Sequence, residues 1–438
     1  MSKLPTTRSE TVFADAKPAY TQAQALTEAH RCLYCVDAPC VQACPTGIEI
    51  PEFIRKIGTD NLKGSARTIF DANIFGMSCA RVCPVEVLCV GACVYNEMGV
   101  PPIQIGKLQR YATDAAFDRG WRYYEAGPDT GKSVGLVGGG PASLAAAHEL
   151  RRLGHACTIY EASERLGGLS TTGVAPYKMQ ADRALEEVEW ILGIGGVDVQ
   201  SGVQVGQDVG VTELLGRHDA VFIGLGLGPD RLLSAPGSDL SGIVGAVEWI
   251  AAMKTTDAAG IAGVRRAAVI GGGNTAIDAV RELVGLGIPE VALVYRGAEA
   301  EMSGYVHEWS AAKVAGARGI FRRLPIAYEG EGGRVRSIRL AALDDARRPI
   351  AGAEEALGAD LVLLAIGQSR LGALLAGIDG VVVDGGRVVV DDVQATGHPR
   401  IFAGGDCANG GKEVVNAAAE GKRAAHAIDR RLRGGSAT

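Results

Sequence analysis

Residues 133–154 read SVGLVGGGPASLAAAHELRRLG, and this stretch decides the fold. A short apolar strand runs into three glycines, and an alanine- and leucine-rich helix follows. In such a strand–turn–helix unit, Gly138 makes the tight turn and Gly140 lets the backbone approach a pyrophosphate. Pro141 and Ala142 open the helix, and Ser143 is small enough for close helix–strand packing. The free N–H groups and the dipole at the helix start favour an anion. The next strand, ACTIYE (156–161), ends in Glu161, 23 residues after Gly138. An acid there is placed to bond ribose hydroxyls.

The logic repeats downstream. RAAVIGGGNTAIDAVRELVGLG (266–287) carries Gly271, Gly272, Gly273, Asn274 and Thr275 at its turn. Here the following strand, EVALVYR (290–296), ends in Arg296 rather than an acid. Arg296 can approach a 2′-phosphate or stack on adenine; a plain surface arginine is the alternative. LVLLAIGQ (361–368) reads as a further strand closing on Gly367 and Gln368. The tail from Ile401 is a strand, a Gly-Asp turn at Asp406, and a helix beginning near Glu413, Val414 and Val415. The start of that helix is suited to stabilise negative charge on a reduced flavin. Two such units predict two doubly wound nucleotide-binding domains. The expected division is 1–125, a helical segment; 126–250 with 370–438, the first nucleotide-binding domain; and 251–369, the second, inserted in the first.

Upstream lies a different chemistry. Eight of the ten cysteines fall between Cys32 and Cys93. The first run is Cys32-x2-Cys35-x4-Cys40-x3-Cys44-Pro45, and the second is Cys79-x3-Cys83-Pro84 followed by Cys89-x3-Cys93. The first resembles the ferredoxin run, whose fourth cysteine serves the other cluster. Soft thiolates suit iron–sulfur chemistry, so the reading is two [4Fe–4S] clusters. Two structural zincs are the alternative, but a zinc ribbon shows two similar C-x2-C knuckles and only the first pair here has that spacing. Spacing alone makes Cys79 the eighth ligand.

Composition bounds the rest. The chain has 438 residues, is 47% hydrophobic and 21% charged, and so can build a large core. Its 61 glycines show no Gly-X-Y period. A net charge of −6 gives no support to nucleic-acid binding. No apolar run of about 18 residues is present, and the first twenty residues have no apolar signal core. The expectation is a cytoplasmic protein with no membrane span.

HRCLYCVDAPCVQACPTGIEIPEFI (30–54), CARVCPVEVLCVGAC (79–93), PIQIGKLQRYATD (102–114) and GGGPASLAAA (138–147) together resemble the N-terminal part of dihydropyrimidine dehydrogenases. The likeness is to the bacterial NAD-dependent type, in which this part is a separate small subunit; the wider family includes the glutamate synthase small subunit. The second cysteine run, with its extra Cys79, and the Gln109 segment favour the dihydropyrimidine branch.

The resemblance implies an α/β fold: a helical segment with two [4Fe–4S] clusters, then an FAD domain with an inserted NAD(P)H domain. It implies crossed ligand sets: Cys32, Cys35, Cys40 and Cys93 for one cluster, and Cys44, Cys83, Cys89 and Gln109 for the other, with Cys79 a spectator. It assigns FAD to Gly138–Ala142, the stretch Glu161 to Leu169 with Gly168, Lys178, Asp406, and the stretch Lys412 to Gly421, which includes Glu413, Val414 and Val415. It assigns the nicotinamide cofactor to Gly272–Thr275, Arg296, and Ile366 to Gln368. NADP-using relatives carry a second basic residue after the one matching Arg296, and Gly297 stands there, which leans the reading to NAD(H). No general acid or base is expected, because hydride transfer needs none. The implied partner is a large subunit with FMN and further clusters, which would reduce uracil or thymine. The rival is a glutamate synthase small subunit or another NAD(P)H:acceptor oxidoreductase.

Overall fold

The computed structural model describes residues 4–256, 260–375 and 377–434. The extreme ends of the expected first and last segments, 1–3 and 435–438, lie outside the described residues.

The N-terminal segment is helical, and its helices carry local start signals. Thr21 and Gln24 form a reciprocal capping box ahead of Gln22–Ala29. Pro51 sits in the first turn of Ile50–Gly58, and the Asn61 side chain accepts from the Gly64 N–H at 3.0 Å to start Leu62–Ala72. Ile50, Phe53, Ile54 and Ile57 recur at helical spacing and are buried. They pack with Ile69 and with Leu108 of the helix Ile105–Asp118 in one core, which continues without a break into the first nucleotide-binding unit. Phe70 meets Trp190 across that junction, with ring centroids 4.6 Å apart.

The strands in chain order are β1 (Ser133–Val137), β2 (Ala156–Glu161), β3 (Val197–Ser201), β4 (Ala220–Ile223), β5 (Ile243–Gly245), β6 (Arg266–Ile270), β7 (Glu290–Tyr295), β8 (Arg318–Phe321), β9 (Arg323–Glu331), β10 (Arg334–Leu343), β11 (Pro349–Gly358), β12 (Leu361–Leu364), β13 (Val383–Asp384), β14 (Arg387–Val388) and β15 (Ile401–Ala403). One parallel sheet has the order β15-β4-β1-β2-β3, and a second has the order β5-β12-β6-β7-β8. Both are Rossmann-like, and each glycine turn lies at the carboxyl end of its sheet, where ligands bind in such folds. The antiparallel sheet β11-β10-β9 lies between β8 and β12 in sequence and buries Val335, Ile338 and Leu340 against the second parallel sheet.

One expectation shifts. The division at 250/251 falls inside the helix Ala246–Thr255, because β5, ahead of it, already pairs with β12. A three-residue strand ending in glycine has too little periodicity to be read from sequence. The apolar runs at 220–228 and 361–368 belong to different sheets, β4 to the first and β12 to the second. The two crossings between the units run side by side. Gly228 N–H donates to the Ser369 carbonyl at 2.9 Å, Ser369 N–H to Pro229 at 2.8 Å, and Arg231 N–H to Gly367 at 2.9 Å.

Candidate cofactor and cluster sites

The cysteines form two groups. Cys32, Cys35, Cys40 and Cys93 line one small apolar cavity of about 30 Å³, closed by Ile50, Ile54 and Ile105. Three thiols of the first run and one of the second therefore share a wall. Burial pushes the Cys40 thiol up to about 11, and the charges of Cys32 and Cys93 add to it. Cys44, Cys83 and Cys89 make the second group. Burial lifts Cys89 to about 12, with Cys44 the next cause. A hydrogen bond with Cys79 is the largest cause raising Cys83, ahead of burial and the charges of Cys79, Cys89 and Cys44. All ten cysteines are free thiols. Among the described residues, no three His, Cys, Asp or Glu groups converge as ligands of a single ion. Four thiols spread around an apolar cavity instead suit a multi-iron cluster, whose positive iron would relieve the mutual repulsion of the thiolates.

Cys79 reaches the second group, and Gln109 lies against the start of the helix that carries Cys79. Cys79 lies one turn before Cys83 on the helix Gly76–Val82, and its sulfur accepts from Asn73 Nδ2 at 3.2 Å. Gln109 is buried and donates through Nε2 to the Gly76 carbonyl at 2.8 Å, which fixes the amide and leaves Oε1 to accept elsewhere. The same helix is capped from the nucleotide-binding unit. The buried Glu187 carboxylate accepts from Met77 N–H at 2.9 Å and from Ser78 N–H at 3.1 Å. Burial lifts Glu187 to about 7 against these donors.

The first glycine turn opens on a cavity of about 440 Å³. Gly138 has φ +89°, and a Cβ there would meet the Gly224 carbonyl at 2.7 Å. At Gly140 a Cβ would meet no protein atom within 4 Å, because the backbone there faces the open cavity. Glu161 holds the turn by accepting from Gly139 N–H at 2.6 Å. Pro141, Ala142, Gly168, Leu169, Lys178, Asp406, Glu413 and Val414 also line this cavity. Ser143 is buried behind it against Gly224, and its hydroxyl has no hydrogen-bond partner. Val415 departs from expectation: it is buried in the core, because helical spacing turns it away from the cavity that Val414 faces. The cavity's glycine-lined wall and its volume suit a dinucleotide such as FAD.

The far end of this cavity was not legible in the sequence. Val82 and Pro84, which flank Cys83, form part of its wall, so the second cysteine group abuts it. Asp278, Tyr305 and Glu308 enter from the second unit. Lys178 bridges two of them, with Nζ 2.9 Å from Asp278 and 2.8 Å from Glu308. Burial pulls Lys178 down, but the two carboxylates outweigh it and leave the pKa raised. Tyr177 donates to Asp278, and Tyr305 to Glu413 at 2.8 Å. Burial raises Asp278, Asp406 and Glu413 above ordinary carboxylates. The glycine run after β4 was the one available signal, since Gly224–Leu227 lines the cavity too.

The second glycine turn opens on a cavity of about 650 Å³. Gly271, Gly272, Gly273, Thr275, Arg296, Gly367 and Gln368 line it. Asn274, expected with them, lines the first cavity instead, because its Oδ1 is drawn toward Tyr305, accepting that N–H at 2.9 Å. Gln368 lines both cavities and anchors itself to the Gly228 carbonyl at 3.0 Å. Two dinucleotide cavities that share one residue can bring two bound rings together. The described residues include no helix long and apolar enough to cross a membrane.

Comparison with known proteins agrees with this geometry. Residues 8–121 match the family described as dihydropyrimidine dehydrogenase domain II, 4Fe–4S cluster, and residues 132–421 match the pyridine nucleotide-disulphide oxidoreductase family. The glutamate synthase [NADPH] small chain of Escherichia coli (strain K12) is 32% identical, over 95% of this chain and 93% of that protein. The NAD-dependent dihydropyrimidine dehydrogenase subunit PreT of the same organism is 34% identical, over 95% of this chain and 96% of that protein. Among solved structures, the thioredoxin reductase of T. acidophilum shares the fold, with a TM-score of 0.56 at 20% identity over 69% of this chain and all of that one. FprA of Mycobacterium tuberculosis in complex with NADPH does so at a TM-score of 0.54 and 21% identity, over 69% of this chain and 85% of that one.

Proposed function

The chain belongs to the glutamate synthase small chain and PreT family of FAD- and 4Fe–4S-dependent oxidoreductases, and from that premise we propose that it is the electron-input subunit of a dihydropyrimidine dehydrogenase. At the coarser level it is an NAD(P)H-dependent flavin and iron–sulfur electron-transfer subunit, and family members it resembles are small subunits of heteromeric enzymes. The observation that carries the reading is continuity. The two dinucleotide cavities meet at Gln368, and the flavin-type cavity ends on Val82 and Pro84, beside Cys83.

When bound, FAD supplies hydride acceptance and one-electron donation, and [4Fe–4S] clusters supply one-electron carriage. The chain's own residues hold and orient. Cys32, Cys35, Cys40 and Cys93 would ligate one cluster, and Cys44, Cys83, Cys89 and Gln109 the other. Gly138–Ala142 and Asp406 would hold the flavin dinucleotide, and Gly271–Gly273 with Thr275 the nicotinamide dinucleotide. Separating a hydride into electrons leaves one proton. The buried Asp278 and the half-buried Glu413, with raised pKa, are suited to hold it, and Lys178 keeps the first of these oriented.

The pyrimidine branch is supported by the 34% identity to PreT and by the family resemblance that makes Gln109 a ligand; the Gln109 amide is buried and held by the Gly76 carbonyl at 2.8 Å. The second reading, a glutamate synthase small subunit, rests on the 32% identity to that chain, close to the 34% to PreT. Copurification with the partner separates them. Nicotinamide oxidation by the complex should depend on uracil. Turnover with glutamine and 2-oxoglutarate, and none with uracil, would assign the chain to the second branch.

A further inference from the structure

We propose that Arg323, together with Arg296, forms a two-guanidinium site for the 2′-phosphate of NADP(H), so that this chain selects the phosphorylated nucleotide. The inference rests on the reading of the second cavity as the nicotinamide dinucleotide site. It adds a residue that the sequence does not single out.

The missing second basic residue was the reason to lean toward NAD(H), and the structure offers a replacement for it. A Cβ at Gly297 would lie 2.6 Å from Glu301 Oε2 and 2.7 Å from the Tyr295 ring, so a lysine or arginine there would have to displace those side chains. The chain returns to that spot at the turn between β8 and β9, where Arg322 N–H donates to the Gly297 carbonyl at 3.0 Å. Arg322 itself takes φ +55° and pairs with Asp345. That turn presents the next residue, Arg323, to the cavity wall that Arg296 also forms.

Arg323 is held in one orientation by an ion pair with Glu355 and by two carbonyls, with Nη2 left over. Glu355 holds its Nε, and the carbonyls of Phe321 and Arg322 hold Nη1 at 3.4 and 3.2 Å. Nη2 has no protein partner among the described residues. Arg296 is exposed at the end of β7, also without a protein partner among them. The end of the second strand is where a dinucleotide fold meets the 2′ position of the adenosine ribose. Guanidinium forks match phosphate oxygens in geometry and charge.

The test uses 2′,5′-ADP and 5′-AMP, which cannot reduce a flavin, titrated calorimetrically into the full FAD- and iron-loaded chain. The expected result is 2′,5′-ADP binding at least about tenfold tighter than 5′-AMP, the size of one charge-assisted hydrogen bond. Arg323→Gln should remove most of that margin and leave 5′-AMP within about twofold, with flavin and cluster absorbance unchanged as the check on folding. Equal binding of the two nucleotides by the wild type would overturn the proposal. So would a margin that survives Arg323→Gln and is lost only in Arg296→Gln. Anaerobic flavin bleaching is the independent arm: NADPH should outperform NADH in kcat/KM, and the variant should erase the difference. Failure of both nucleotides to bleach the flavin would contradict the electron-input reading, while the calorimetric comparison still decides the arginine site.

Discussion

The cysteine segment and the glycine turns hold their groups in opposite ways. Each turn uses consecutive residues, and its anion site is made of backbone N–H groups at one helix start. The first cysteine cavity instead gathers Cys32, Cys35 and Cys40 from one run and Cys93 from the end of the other. Local sequence therefore specifies the turns, whereas tertiary packing completes the thiol cages. The lesson is that a substitution in a turn should act on one ligand alone, while one in a cage should act across the segment.

The largest effect that follows is on Cys93. Cys93→Ser should remove the cluster of Cys32, Cys35 and Cys40 and cut iron content by about half, because one ligand of four is lost. Iron analysis and low-temperature EPR check it. Loss of the cluster at Cys44, Cys83 and Cys89 instead would show that the runs do not cross, and would break the contrast.

The next effect belongs to the turns. A side chain at Gly140 meets no protein atom, so Gly140→Val should leave folding and iron intact while weakening FAD binding by roughly tenfold or more, by obstructing the approach of the pyrophosphate. Flavin content after dialysis measures it. Coupled loss of iron would mean that the turn is not the independent module described here.

The joint between the regions gives a pH-dependent effect. Glu187 is lifted to about 7 in the folded chain from an ordinary value of 4.5. A raised carboxyl contributes stability that is fully present below about pH 4.5 and is lost as pH rises through about 7, here roughly 3 kcal/mol. Glu187→Gln has no such titration, so its thermal midpoint relative to wild type should rise between pH 5 and pH 8. A constant difference across that range would show that the carboxylate is fully compensated by the Met77 and Ser78 N–H groups.

The smallest effect sharpens the second cage. Gln109→Ala should shift the reduction potential and EPR line shape of that cluster, whereas Cys79→Ser should leave iron content unchanged. If Cys79→Ser loses iron and Gln109→Ala does not, the cysteine is the eighth ligand.

What was legible in the sequence follows the same contrast. Both fingerprints, with Glu161 and Arg296 closing the next strands, could be read because strand, turn and helix are contiguous. The grouping of Cys93 with Cys32 came from resemblance and not from spacing. Asp278, Glu308 and Tyr305 were invisible, because they reach the first cavity from a unit whose own ligand lies elsewhere. Arg323 was invisible for a related reason: it answers for Gly297 across a turn and not along the chain. The antiparallel sheet β9–β11 and the short β5 also went unread, since exposed strands and three-residue strands carry little periodicity.

On the proposed function, one path joins a nicotinamide site, a flavin site and two groups of thiols. Anaerobic titration of the intact chain with NADPH or NADH, followed by optical and low-temperature EPR spectra on the same samples, probes that path. Flavin absorbance should bleach together with the appearance of the EPR signal of reduced [4Fe–4S] clusters, from the first equivalents onward. A flavin that bleaches fully while the clusters stay oxidised, yet are reduced by dithionite, would contradict it.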